Sequence, residues 1–179
     1  EMTSGRKQPA AADRVLVFLA IGARVADAVA ISSRSVLLPS EKVAMTYSVC
    51  SPPEPPPQGC PPLVFVHGTL HGSWCFERHW LPYFAERGFE TYAVNLRGTE
   101  GFPLEEPRKV KVEEHVADIS NFVRSVVDQP PVLLGHSFGG AYVQKVLEAG
   151  QLPLAGAVIA CSVPPSGNSA MVLRFLLRS

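Results

Sequence analysis

The stretch that most constrains this chain is Pro131-Val132-Leu133-Leu134-Gly135-His136-Ser137-Phe138-Gly139-Gly140-Ala141-Tyr142. Val132 to Gly135 reads as a short buried strand. Gly140 to Glu148 sets Tyr142, Val143, Val146 and Leu147 on one helical face. Between them a serine stands in a G-x-S-x-G pattern, which marks a sharp strand-to-helix turn with the hydroxyl lifted clear of the sheet. Gly135 and Gly139 leave out the Cβ atoms that would stop neighbouring backbone from closing in. The serine's own backbone is expected in a strained region.

The rest of the chain supplies the frame for such a turn. Leu63-Val64-Phe65-Val66 is a continuous apolar run, as expected for a strand buried on both faces of a parallel sheet. It stops at His67-Gly68-Thr69-Leu70-His71-Gly72-Ser73-Trp74. Ser73 is placed to cap a helix over about 74–87, ending at Gly88, with Pro82 expected to kink or split it. Phe89 to Leu96 reads as the next strand, followed by a loop through Arg97, Gly98 and Gly101. Val112, His115, Val116, Ile119, Phe122, Val123, Val126 and Val127 recur at helical spacing until Pro130 and Pro131 end the pattern. Leu154 to Cys161 is a further strand, and an apolar helix begins at Ala170. Upstream, Val43 to Val49 alternates as an early strand. Seven prolines between Ser51 and Pro62 make the next segment a stiff extended connection. Strands alternating with helices predict an α/β fold with a mostly parallel sheet and right-handed crossovers.

Residues 1–38 differ in composition. Arg6, Lys7, Arg14, Arg24 and Arg34 face only Glu1, Asp13 and Asp27. The first residue is not methionine, so a fragment or a processed chain is expected. An arginine-rich, serine-containing, acid-poor segment suits an organellar transit peptide, with a chloroplast destination preferred. The rivals are a secretory signal, for which Ala26-Asp27-Ala28 and Ala28-Val29-Ala30 resemble cleavage sites, and a disordered extension on a cytoplasmic protein. Val15 to Gly22 is too short to span a membrane. The expected division is a 1–38 extension and a 39–179 domain containing the Pro-rich loop 51–62.

Lys+Arg and Asp+Glu both number 16, which gives no basis for a nucleic-acid partner. The cysteines at 50, 60, 75 and 161 lack metal-ligand spacing, and a Cys50–Cys60 bridge is conceivable. Neither a G-x-G-x-x-G nor a P-loop occurs, so no metal or organic cofactor is expected.

Gly135-His136-Ser137-Phe138-Gly139 resembles the nucleophile elbow of the α/β-hydrolase superfamily. Val66-His67-Gly68-Thr69 is similar to that superfamily's oxyanion loop. His71-Gly72-Ser73-Trp74 extends it in the manner of plant methylesterases and hydroxynitrile lyases. Asn95-Leu96-Arg97-Gly98-Thr99 resembles the R-G-x-G loop after the next strand, with Asn95 in place of the usual acid. The resemblance covers about 43–179, the N-terminal half of such a domain. It implies an α/β-hydrolase sheet with helices on both faces, broken off after the strand that follows the elbow. It also implies Ser137 as nucleophile, oxyanion donors at the Thr69 and Phe138 backbone N–H groups, and a small-molecule ester or acyl substrate. A serine at the elbow disfavours the epoxide-hydrolase and dehalogenase branches, which use aspartate.

A serine hydroxyl needs a base to take its proton. In this fold the order is Ser, then Asp or Glu, then His. The 42 residues after Ser137 contain one acid, Glu148, and no histidine. Of the five histidines, His71 is the least implausible substitute base. His67 is expected to shape its loop, His136 to point away from the serine, and His79 and His115 to be half-exposed on helices. Asp118 and Asp128 read as solvated or capping charges. Three expectations stand: a truncated serine hydrolase, an inactive short form, or a non-catalytic binding module of the same fold. The strand at 154–161 is then expected at a sheet edge and the helix after 170 with little to pack against. Such a chain is expected to be marginally stable.

Overall fold

A computed structural model describes residues 29–39, 41–57, 59–104, 109–164 and 169–177. Its centre is a six-stranded sheet. The strands are β1 (Ile31–Val36), β2 (Met45–Cys50), β3 (Leu63–Val66), β4 (Thr91–Val94), β5 (Val132–His136) and β6 (Gly156–Ala160). Their spatial order is β1-β2-β4-β3-β5-β6. β1 and β2 run antiparallel to each other, and β2 antiparallel to β4. From β4 through β3 and β5 to β6 every pairing is parallel.

β3 shows why its sequence is apolar throughout. Val64 and Val66 point into a core shared with α3 (Val112–Val126) and α4 (Phe138–Ala149). Leu63 and Phe65 point the other way, onto α1 (Trp74–Glu77) and α2 (Trp80–Ala85) through Phe76, Leu81 and Ala85. Helices therefore cover both faces. Phe122 of α3 meets Tyr47 edge-on at 4.9 Å, and Phe65 meets Phe76 at 5.1 Å. Burying each such ring is worth about 1.5–3 kcal/mol.

The helix expected over 74–87 is split, as Pro82 suggested, but not at Pro82 itself. The break falls at Arg78 and His79, which leaves Pro82 near the start of α2, where its missing N–H costs little. α2 closes as expected at Gly88, with φ +86°. The Gly88 N–H donates to Ala85 O and the Phe89 N–H to Phe84 O, the paired bonds of a Schellman ending. Ser73 makes no capping bond and is drawn instead into a polar cluster.

β1 corrects the expected boundary at residue 38. Ile31–Val36 lay in the extension by composition, yet it pairs along its whole length with β2. Its residues are almost all exposed, so it carries no apolar alternation to reveal it. Residues 1–28, with the expected cleavage sites, lie outside the described residues. All four cysteines are free, so the Cys50–Cys60 bridge is absent. β6 forms one edge of the sheet as described, and α5 (Ser169–Leu176) leaves Leu173 and Leu176 exposed.

This topology selects one place for a site. β3 and β5 are adjacent and parallel, with Val66 in register with Gly135. The helices after β3 lie on one face of the sheet and the helix after β5 on the other. The chain thus diverges to opposite sides at the carboxyl ends of neighbouring strands, where open α/β sheets form their binding crevice.

Candidate active site

Ser137 stands at that divergence. Its φ of 56° and ψ of −123° put a non-glycine residue in a sparsely populated region, at a cost of about 1–3 kcal/mol. Three hydrogen bonds hold it there. Its N–H donates to Ala160 O at 3.0 Å, and its carbonyl accepts from Gly140 N at 3.0 Å and Val163 N at 3.3 Å. Gly139 lies so close to β3 that a Cβ there would strike the Val66 and His67 carbonyls. Gly68 faces the serine itself: a Cβ on it would lie 2.8 Å from Ser137 Cβ and 3.3 Å from Oγ. The loop after β3 is therefore packed directly on the serine side chain.

The residues that follow Ser137 and Gly68 in the chain each carry a backbone donor. The Phe138 N–H opens α4 and has no intrahelical acceptor. The Thr69 N–H has no hydrogen-bond acceptor among the described residues. Thr69 is exposed, and Leu70 beyond it takes a φ of 61° and turns its side chain to solvent.

His67 holds this loop rather than serving Ser137. It is buried, its Nε2 accepts the Leu96 N–H at 3.0 Å, and its Nδ1 therefore carries the proton donated to Gly68 O at 2.7 Å. Burial, with His71 nearby, depresses its pKa. Both ring nitrogens are committed. His71 donates from Nδ1 to Thr69 O at 2.9 Å and stacks on Trp74 at 5.4 Å. His136 and His79 are exposed. Among the described residues no histidine hydrogen-bonds to Ser137, and Glu148 pairs with Lys145 on the surface of α4.

The far side of the same loop is clamped by Asn95. Its Oδ1 accepts the Ser73 N–H at 2.8 Å, while Nδ2 donates to Thr46 Oγ1 at 2.9 Å, Thr46 O at 3.2 Å and Ser73 Oγ at 3.2 Å. Ser48 and Ser73 both reach Glu77. An aspartate here would have no proton for Thr46 O and would bring a second charge beside Glu77. That explains the amide at a position where the family resemblance leads one to expect an acid.

Two readings of charged residues are corrected. Asp118 is buried, not solvated: its carboxylate takes Arg97 Nε at 2.8 Å and Nη2 at 2.5 Å. Glu41 takes Arg97 Nη1 and Nη2, and Glu114 lies at 3.8 Å. The hydrogen bonds that Arg97 donates to Asp118 above all hold it charged beyond its usual range. Burial acts against the Asp118 carboxylate and raises its pKa, with Arg97 opposing it. The guanidinium is thus a structural bolt joining the loop after β4 to α3. His115 is buried rather than half-exposed, with its ring 4.5 Å from Tyr142. Burial first, and then the Arg97 charge, lowers its pKa to about 4. Neither burial is visible in sequence, because the covering groups come from other elements.

A family model described as the alpha/beta hydrolase family matches residues 63–179. The chain belongs to the alpha/beta hydrolase family. It is similar to methylesterase 10 of Arabidopsis thaliana, 31% identical over 91 residues, which is 48% of this chain and 31% of that protein. It is also similar to a carbendazim hydrolyzing esterase of a Nocardioides species, 26% identical over 112 residues, 62% of this chain and 46% of that one. The chain thus spans under half the length of these relatives. Among solved structures, the epoxide hydrolase CorEH superposes with a TM-score of 0.60 at 20% identity, over 75% of this chain and 44% of that one. That likeness is one of fold. Among the described residues no helix is long and apolar enough to cross a membrane.

Proposed function

We propose that this chain carries the nucleophilic half of a serine esterase site, acting on carboxylic esters or related acyl compounds. Ser137 Oγ attacks the acyl carbon, and the carbonyl oxygen takes up negative charge between the Thr69 and Phe138 N–H groups. Each such donor is worth roughly 10²–10³ in rate. The N-terminal end of α4 adds its dipole at the same point. The observation that carries the reading is the contact between Gly68 and the strained Ser137, with the next residue's N–H, that of Thr69, left without an acceptor among the described residues. The general base and its acid partner are assigned to residues other than the five histidines here.

Organellar targeting through the N-terminal segment is part of the same proposal. A further relative from Arabidopsis thaliana, 24% identical over 111 residues, has chloroplastic in its name.

A fluorophosphonate probe tests the chemistry. The protein purified from its native source is expected to be labelled at Ser137, with labelling lost in Ser137→Ala. If that protein is folded and unlabelled, the esterase reading fails and a non-catalytic binding role on the same fold replaces it.

A further inference from the structure

The loop after β3 has a second side, and a cavity of about 760 Å³ opens there. It lies between the 67–74 loop and the 95–101 loop, and Ser137 is not among its lining residues. His115 and Tyr142 line it from α3 and α4, ring against ring at 4.5 Å. His115 is only 9% exposed, and its Nδ1 is buried with no hydrogen-bond partner. Leaving such an atom unpaired is unfavourable, because it has given up water and gained no partner. The surrounding fold does nothing to relieve it, and no step proposed for Ser137 uses it.

The other groups of the cavity limit what can bind. Arg97 lines it, but Nε, Nη1 and Nη2 are all engaged by Asp118 and Glu41, with Glu114 close by. No guanidinium fork is left for an anion, and the neighbouring carboxylates would repel one. At the mouth, Trp74 is 61% exposed and stacks on His71 with an interplanar angle of 20°. That is a flat apolar platform. A neutral imidazole has one donor and one acceptor nitrogen, and the unpaired one is either, according to tautomer. A hydroxyl group matches both cases because it donates and accepts. A half-turn of the ring about Cβ–Cγ keeps its face against Tyr142 while bringing the nitrogen to the other edge.

We propose that this crevice binds a small uncharged ligand bearing a hydroxyl group, hydrogen-bonded to His115 and laid against Trp74. The cavity shares Gly68 and Thr69 with the loop beside Ser137, but the contact with His115 uses no step of acyl transfer.

Benzyl alcohol, toluene and benzoate serve as probes, titrated into the folded protein while the His115 ring nitrogens are followed by long-range proton–nitrogen NMR and Trp74 by fluorescence. Benzyl alcohol is expected to move the His115 signals saturably. Toluene, which lacks the hydroxyl, and benzoate, which is charged, are expected to bind at least tenfold more weakly. Trp74→Ala, a surface change, is expected to weaken benzyl alcohol binding. His115→Phe is expected to reduce it to the level of toluene. If His115→Phe does not fold, the wild-type shift experiment still decides. Unmoved His115 signals, or equal binding of the alcohol and the hydrocarbon, would overturn the proposal.

Discussion

His115 makes a quantitative prediction about acid stability. In the unfolded chain its imidazole titrates near the ordinary value of 6.5, whereas in the fold burial and Arg97 hold it to about 4. Above pH 7.5 both states are neutral at this residue and it contributes no pH dependence. Between pH 6.5 and 4 the unfolded chain takes up a proton that the folded one refuses, so stability falls as the pH falls. Below 4 both states are charged and the loss is complete. A displacement of this size corresponds to about 3 kcal/mol at 1.36 kcal/mol per pH unit. Because one proton is involved, the slope cannot exceed about 1.4 kcal/mol per unit. His115→Phe keeps an aromatic ring against Tyr142 and abolishes the titration. Urea unfolding of both proteins from pH 7.5 to 4 isolates it, since His67 and the carboxylates titrate in each and cancel in the difference. The wild type should lose about 3 kcal/mol relative to the variant across this range, on the order of 1–3 M in urea midpoint. Parallel curves would show that His115 is hydrated in the folded protein and that its burial against Tyr142 is wrong.

Two further substitutions probe the ground on which Ser137 stands. Gly139→Ala puts a methyl group into the Val66 and His67 carbonyls, backbone that cannot turn aside. It is expected to destabilise by about 1–3 kcal/mol and to slow fluorophosphonate labelling further, whereas unchanged melting and labelling would mean that the elbow and the loop after β3 are not in contact. Asn95→Asp keeps the acceptor for the Ser73 N–H but loses both donors to Thr46. A loss of about 1–3 kcal/mol at pH 7 that shrinks on acidification, as the new carboxyl regains a proton, is expected in thermal melts; a pH-independent effect would refute that account.

The parts of the fold legible in sequence are those fixed by short-range physics. Leu63 to Val66 is apolar at every position because both faces of β3 are covered. α3 shows its buried stripe through Ile119, Phe122 and Val123 and ends before Pro130 and Pro131. Gly88 and Gly150 end their helices in left-handed conformations. What escapes sequence depends on partners far along the chain. Ser73 lies four residues before Glu77, a spacing that suits a helix start, but Ser48 reaches it from β2 and Asn95 from the loop after β4. Asp118 is paired by Arg97 from 21 residues away, and a stripe of alternating polarity does not reveal that. β1 is an exposed edge whose serines and arginine satisfy only backbone pairing, so no hydrophobic pattern marks it. The serine turn was legible; the cavity behind its neighbouring loop was not, because His115 on its helix reads as a half-exposed structural residue.

The histidines show why the catalytic question is sharper than the motif alone makes it. A base for Ser137 needs a ring nitrogen with a free lone pair facing Oγ. His67 is nearest in sequence to the right loop, but its Nε2 lone pair is spent on the Leu96 N–H and its proton on Gly68 O. Releasing it would unpair two buried backbone groups and loosen the loop that carries Thr69, so gaining a base this way would weaken the oxyanion site. His71 is tied to Thr69 O and Trp74 on the cavity side. His115 holds its proton poorly above pH 4 and packs against Tyr142. If the isolated 179-residue chain is labelled by a fluorophosphonate as fast as an activated serine, one of these arrangements must break, and His67→Asn would separate the cases. Asparagine in place of His67 would slow labelling without changing its pH dependence if the base lies elsewhere, because only the Thr69 loop is loosened, and would abolish it if His67 swings to the serine.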